Sequence, residues 1–146
     1  MTRRAERLAP VVDMAVKAER EAARQLGQVQ AQLLQAQRQL ADLERYRLDY
    51  QQQWLERGRQ GVSGQWLIDY QRFLGQLEGA VEQQGRSVDW HRGVVDKARN
   101  AWQEKYARVE GLRKLVERYR EEARRAEDKR EQKQLDELSQ RVRHTP

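Results

Sequence analysis

The stretch LGQVQAQLLQAQRQLADL, residues 26–43, decides the fold. Within it Leu26, Val29, Leu33, Ala36, Leu40 and Leu43 recur in alternating steps of three and four. An apolar period near 3.5 residues marks helices that bury a narrow stripe against one another. Toward the N-terminus the same steps land on Leu8, Val12, Ala15, Glu19 and Ala22, and toward the C-terminus on Arg47, Tyr50 and Trp54. Glu19 and Arg47 alone break this seam. A second run starts at Leu67 and passes Tyr70, Leu74, Leu77, Val81, Gln84, Val88, His91, Val95, Ala98 and Trp102. It continues through Lys105, Val109, Leu112, Val116, Tyr119, Ala123 and Ala126. Leu8 takes a d position and Leu67 an a position, because steps of four leave d and steps of three leave a.

Gly58, Gly61 and Gly64 separate the two runs. Helix one is expected over about 10–57, opened by Pro10, which is tolerated at a first helical position. The turn spans 58–64 and helix two about 65–138, with Ser63 as its N-cap and Val62 and Leu67 placed for a hydrophobic staple. Residues 139–146 are left as a flexible tail. A connection this short folds the helices back on each other. The expected fold is all-α: a single domain over residues 1–146, formed by two long helices in an antiparallel coiled-coil hairpin. Its paired section would be roughly 70 Å long.

Bending near residue 61 pairs residues whose numbers add to roughly 120. Leu8 then lies near Leu112, and helix two extends past helix one from about residue 115. That overhang keeps Val116, Tyr119, Ala123 and Ala126, a stripe that either meets a partner or frays. Glu19 falls level with Trp102 and one layer from Lys105, where a Glu19–Lys105 ion pair would fix register at little net gain. Arg47, near Leu74, has the length to carry its head outward along the flank. Gly75, Gly79, Gly85, Gly93 and Gly111 each cost helix two roughly 1 kcal/mol against alanine, which either lets it bend or reflects sequence drift.

Composition fits this reading. The 146 residues are 38% apolar and 36% charged, which suits a narrow seam under a wide solvated surface. No stretch is apolar and long enough to span a bilayer. Arg3, Arg4 and Arg7 precede no apolar core of a signal peptide. The absence of cysteine excludes disulfides and thiolate metal sites and fits a cytoplasmic protein. Net charge is +6, from 29 basic and 23 acidic residues. The two signs interleave along the helices as supporting pairs, where a phosphate-binding protein would gather its basic residues on one face. The surplus leaves room for a modest preference for acidic protein surfaces or anionic lipid.

Nothing in the chain is arranged for catalysis. The glycine cluster lacks phosphate-loop spacing. His91 sits in the seam and His144 in the tail, with no partner ligands to complete a metal site. The carboxylates lie beside arginines on helix faces, and a hairpin offers no cleft that excludes water. The expectation is a non-enzyme with no cofactor, no nucleic acid and no small-molecule substrate.

Aromatic residues gather near the turn: Tyr46, Tyr50, Trp54, Trp66, Tyr70 and Phe73. Tyr50, Trp54 and Tyr70 are seam positions. Tyr46 and Phe73 are g positions, as are Gln39 and Ala80, and in an antiparallel pair g faces g. One flank therefore presents Gln39, Tyr46, Phe73 and Ala80 beside Leu43, Tyr50, Leu77 and Gln84. Such a flank either binds a protein partner or widens the core.

The same residues carry a resemblance. Gln39-Leu40-x-x-Leu43-x-x-Tyr46-x-x-x-Tyr50, the glycine turn, then Tyr70-Gln71-x-Phe73-x-x-x-Leu77-Glu78-x-Ala80-Val81-Glu82-Gln83 resembles the FliJ family of flagellar export proteins. Ala22-Ala23-Arg24-x-Leu26-Gly27 and Gln132-Lys133-x-x-Asp136-Glu137 match as well, so the resemblance covers nearly the whole chain. It implies a stalk and escort component of the flagellar type III export apparatus, similar to the two-helix stalk of a rotary ATPase gamma subunit. Implied partners are the export ATPase FliI, the export gate protein FlhA and export chaperones, with peripheral contact to membrane-embedded export machinery. The family's gate-contacting positions fall on Gln39, Leu43, Tyr46, Tyr50, Phe73, Leu77, Ala80 and Gln84. Part of the family carries histidine where Gln84 stands. The ATPase contact falls on the start of helix one and the end of helix two. The equivalent stalk of a virulence-type injectisome shares fold and role, and a generic coiled-coil scaffold is the third reading.

Overall fold

A computed structural model describes residues 3–144 of the chain. It consists of two α-helices, α1 (Arg3–Gln60) and α2 (Gly64–His144), which pack on each other as an all-α helical hairpin. The connection is short because two local devices close it. Gly61 takes a φ of 85°, a left-handed conformation that costs a residue with a Cβ about 1–2 kcal/mol, and so ends α1. Ser63 then caps α2: its hydroxyl accepts the Trp66 N–H at 3.2 Å, and its carbonyl accepts the Leu67 N–H at 3.2 Å.

Helix limits differ from the sequence expectation in three places. Gly58 stays helical, since a helical glycine costs only about 1 kcal/mol, and α1 stops at the positive-φ Gly61 instead. At the other end α1 starts at Arg3, so Pro10 lies inside the helix. Pro10 has no N–H to send to the carbonyl four residues back, yet seam contact upstream holds the extra turns. Ala5 is buried, and the Arg4 guanidinium lies 5.6 Å from the centre of the Tyr119 ring. Finally, α2 runs to His144, through the stretch expected to be a flexible tail; Thr145 and Pro146 lie outside the described residues. None of its internal glycines breaks α2.

Contacts divide the hairpin into two compact units. The turn unit is Arg24–Asn100. Its core is Ala36, Tyr70, Leu77, Val88 and Val95, and every other seam residue in it, Arg47 and His91 included, is half-buried. His91 lies with its ring edge-on to Trp90 at 4.9 Å, and its buried Nδ1 meets no hydrogen-bond partner among the described residues.

The terminal unit joins the stretch up to Ala23 with the stretch from Ala101 onward. Its buried seam residues are Ala5, Ala15 and Val109. Trp102 Nε1 donates to Glu19 Oε1 at 2.9 Å. The expected Glu19–Lys105 ion pair is absent, and Lys105 is exposed. An indole in the same layer reaches the carboxylate directly and keeps its own ring in the seam, whereas the ammonium retains its water. Burial continues to Ala123, beyond the residue 115 limit expected for pairing, because α1 supplies the additional residues before Pro10. From Arg124 to His144 every residue is exposed, Ala126 among them.

Register is common to both units. Tyr50 with Tyr70, Tyr46 with Phe73, Ala36 with Gln84, Glu19 with Trp102 and Arg4 with Tyr119 are pairs whose numbers add to between 119 and 123. A hairpin bent at Gly61 requires sums of that size.

Candidate protein-binding site

In the turn unit the aromatic residues form a ladder across the two helices. Trp54 stacks on Trp66 at 5.7 Å and on Tyr70 at 4.7 Å; Tyr70 stacks on Tyr50 at 4.6 Å. Tyr50 meets Phe73 at 4.8 Å, and Phe73 meets Tyr46 edge-on at 6.1 Å. Offset and edge-on ring pairs of this kind add about 0.5–1.5 kcal/mol each beyond the area they bury. Near the turn, then, the seam is held by rigid rings.

The Tyr70 hydroxyl donates to the Tyr50 carbonyl at 3.4 Å. Burial pushes the phenol above its ordinary 10.0, and nearby Tyr50 and Glu78 push it in the same direction. The phenolate is disfavoured there because it would lie in low dielectric beside other negative charge.

The expected flank residues sort into a floor and a rim. Leu77 is buried, while Leu43, Tyr50 and Ala80 are half-buried and support the surface from below. Tyr46, 52% exposed, and Phe73, 37% exposed, stand on the rim with Gln39. Gln84 bridges the helices: its Nε2 donates to the Ala36 carbonyl at 3.0 Å and to Gln39 Oε1 at 3.2 Å. All eight positions thus gather along one side of the turn unit, with Leu77 too deep to touch a partner directly. Sequence reasoning missed the Gln84 bridge, since a glutamine at a d position signals only a polar break in the seam. It also left unread a groove of about 430 Å³ on the other side, lined by Gln51, Trp54, Leu55, Tyr70, Gln71 and Leu74.

The terminal unit offers a second surface. Arg4, Tyr119, Arg120, Ala123, Ala126 and Arg130 line part of an open groove of about 750 Å³, where the seam of α2 outruns α1. The Arg4 side chain covers one face of Tyr119 there. No helix among the described residues is long and apolar enough to cross a membrane.

Comparison with known proteins settles the lineage. The model of the family described as "Flagellar FliJ protein" matches residues 4–145. The chain belongs to the flagellar FliJ family. Similar to it is the flagellar FliJ protein of Escherichia coli K12, 34% identical over 135 residues, which cover 92% of each chain. That of Salmonella typhi is 33% identical over 130 residues, or 89% of this chain and 88% of its own. FliJ membership makes this chain a component of flagellar export.

Proposed function

We propose that this FliJ-family chain is a non-enzymatic stalk and escort component of the flagellar export apparatus. In this reading it is a cytoplasmic protein, peripherally associated with the membrane-embedded machinery. It binds the export ATPase and the export gate, couples the two, and assists delivery of chaperone–substrate complexes. The observation that carries the gate contact is the edge-on Tyr46–Phe73 pair, which stands exposed on the rim while half-buried Tyr50 packs against Phe73. Exposed aromatics on a rigid support lose little side-chain entropy when they anchor a partner. For the ATPase, the matching feature is the solvent-facing end of α2 with the groove around Tyr119 and Ala123. The flagellar setting is preferred to an injectisome because the family and both relatives are flagellar.

The test is a binding titration of the full chain against the cytoplasmic domain of the cognate gate protein, with Tyr46→Ala and Phe73→Ala as variants. Each should weaken binding by ~1–3 kcal/mol, as interface anchors do. Circular dichroism and binding to the cognate ATPase should stay as in the unaltered protein. If both variants bind the gate normally, or lose gate and ATPase binding together with helicity, the aromatic pair is packing and the reading fails.

A further inference from the structure

The flank opposite Tyr46 and Phe73 carries an apolar row that the hairpin does not use. On α1, Leu34, Ala41, Leu48 and Leu55 recur every seven residues. All four are exposed, the leucines by 48, 54 and 65%. Counted from the seam they are b positions, adjacent to e, and in an antiparallel pair e faces e. The groove that joins Leu55 and Gln51 to Gln71 and Leu74 is the turn-proximal end of this side.

Across it, α2 presents Ile68, Gly75 and Gly85. Ile68 is 51% exposed, and a Cβ at either glycine would meet nothing within 4 Å. One wall is therefore a leucine row, while the other is lowered to backbone at two points, which permits close approach of an incoming element. The row spans roughly 30 Å of helix. Its seven-residue period fits another helix and not a strand, whose side chains alternate every second residue.

Charge specifies the incomer further. Glu82 and Asp89 on this side already meet Arg86 at 3.9 Å and Arg92 at 3.6 Å. Glu44 and Glu78, both e positions, stand level with each other across the flank. Both are exposed, and among the described residues neither joins an ion pair. Facing like charges oppose the hairpin slightly, and a lysine or arginine delivered between them would reverse the sign. A second copy of this chain docked flank to flank would instead bring two such acidic pairs together.

We propose that the flank formed by Leu34, Leu48 and Leu55 of α1 and Ile68, Gly75 and Gly85 of α2 docks a basic amphipathic helix of another protein. That helix packs as a third strand of the coiled coil, its apolar stripe on the leucine row and its cations between Glu44 and Glu78. The proposal stands independently of any gate contact, which lies on the other side of the turn unit.

The experiment uses the full chain and two labelled designed peptides, each about four heptads long with leucine at a and d. One carries lysine at e and g, the other glutamate, and fluorescence anisotropy reads binding. The chain has a net charge of +6, so bulk attraction favours the glutamate peptide and a preference for lysine reports the local site. The lysine peptide should bind more tightly, and Leu34→Gln with Leu48→Gln should weaken it about tenfold or more, as loss of two buried leucines implies. Glu44→Lys with Glu78→Lys should switch the preference to the glutamate peptide, whereas Tyr46→Ala should change nothing. The proposal is overturned if the leucine double variant binds as before, or if charge reversal leaves the preference intact. It is equally overturned if light scattering shows a dimer of the chain that Leu34→Gln with Leu48→Gln abolishes, since the occupant would then be a second copy.

Discussion

Replacing Trp102 by phenylalanine tests the register of the terminal unit at a point where the seam binds a carboxylate. The indole N–H of Trp102 reaches Glu19 Oε1 at 2.9 Å, and both residues are half-buried on facing helices. Phenylalanine keeps a ring to pack near Tyr106, whose centre lies 5.4 Å away, but removes the donor. A hydrogen bond to a charged group is worth ~1.5–3 kcal/mol. Water can still reach a half-buried carboxylate, so the lower end applies. The smaller ring also loses some packing, and that part must be separated. Glu19→Leu, Trp102→Phe and the double variant form a cycle in which packing cancels and the pair remains. Urea unfolding followed by circular dichroism should give a coupling of about 1–2 kcal/mol between the two sites. Lys105→Met, at the exposed neighbour, should be near neutral. A Glu19–Trp102 coupling within about 0.3 kcal/mol of zero would refute the reasoning. So would a Lys105→Met cost as large as that of Trp102→Phe, which would restore the ion pair that pattern alone anticipated.

Three further outcomes are expected. His91→Leu removes a buried Nδ1 that lacks a partner and should raise the melting temperature by about 2–4 °C, the shift that ~1 kcal/mol produces at this chain length. Because the folded phenol of Tyr70 titrates above 10.0, its stabilising contribution is complete below that value and is lost as pH rises through the folded value. Alkaline unfolding should therefore be milder in Tyr70→Phe, and identical profiles for the two proteins would show that another group titrates. Gly61→Ala should cost about 1–2 kcal/mol through its positive φ, while Gly58→Ala should gain up to about 1 kcal/mol in an open helical position. Comparable melting of these two variants would displace the turn from Gly61.

Much of the site was legible because heptad position converts directly into side of the hairpin. Once Tyr46 and Phe73 are g positions, an antiparallel pair has to bring them together, and their rings meet at 6.1 Å. What stayed hidden is depth and partner choice. Leu77 and Tyr50 belong to the same sequence motif as Tyr46, yet Leu77 is buried and Tyr46 is 52% exposed. Gln84 looked like a departure from family pattern, but it ties Ala36 and Gln39 to α2. The row of Leu34, Ala41, Leu48 and Leu55 was written in the sequence at an even spacing of seven. It passed unread because attention to the a/d seam leaves b positions as undifferentiated surface.

By itself the sequence determined the all-α hairpin, the turn at the glycine cluster and the register near a sum of 120. Periodicity and a short connection allow few other arrangements, since the length of the glycine turn sets which layers of the two seams can meet. Only the tertiary structure decided where the helices begin and end. Pro10 and Gly58 carry local penalties that pattern reading takes as boundaries, and burial of Ala5 with the Arg4–Tyr119 contact outweighs the first of these. It also decided that Glu19 accepts from Trp102 and not Lys105, because both cations and indoles satisfy the pattern and only packed geometry selects between them. A local preference of about 1–3 kcal/mol is overridden wherever neighbouring layers of the seam close together.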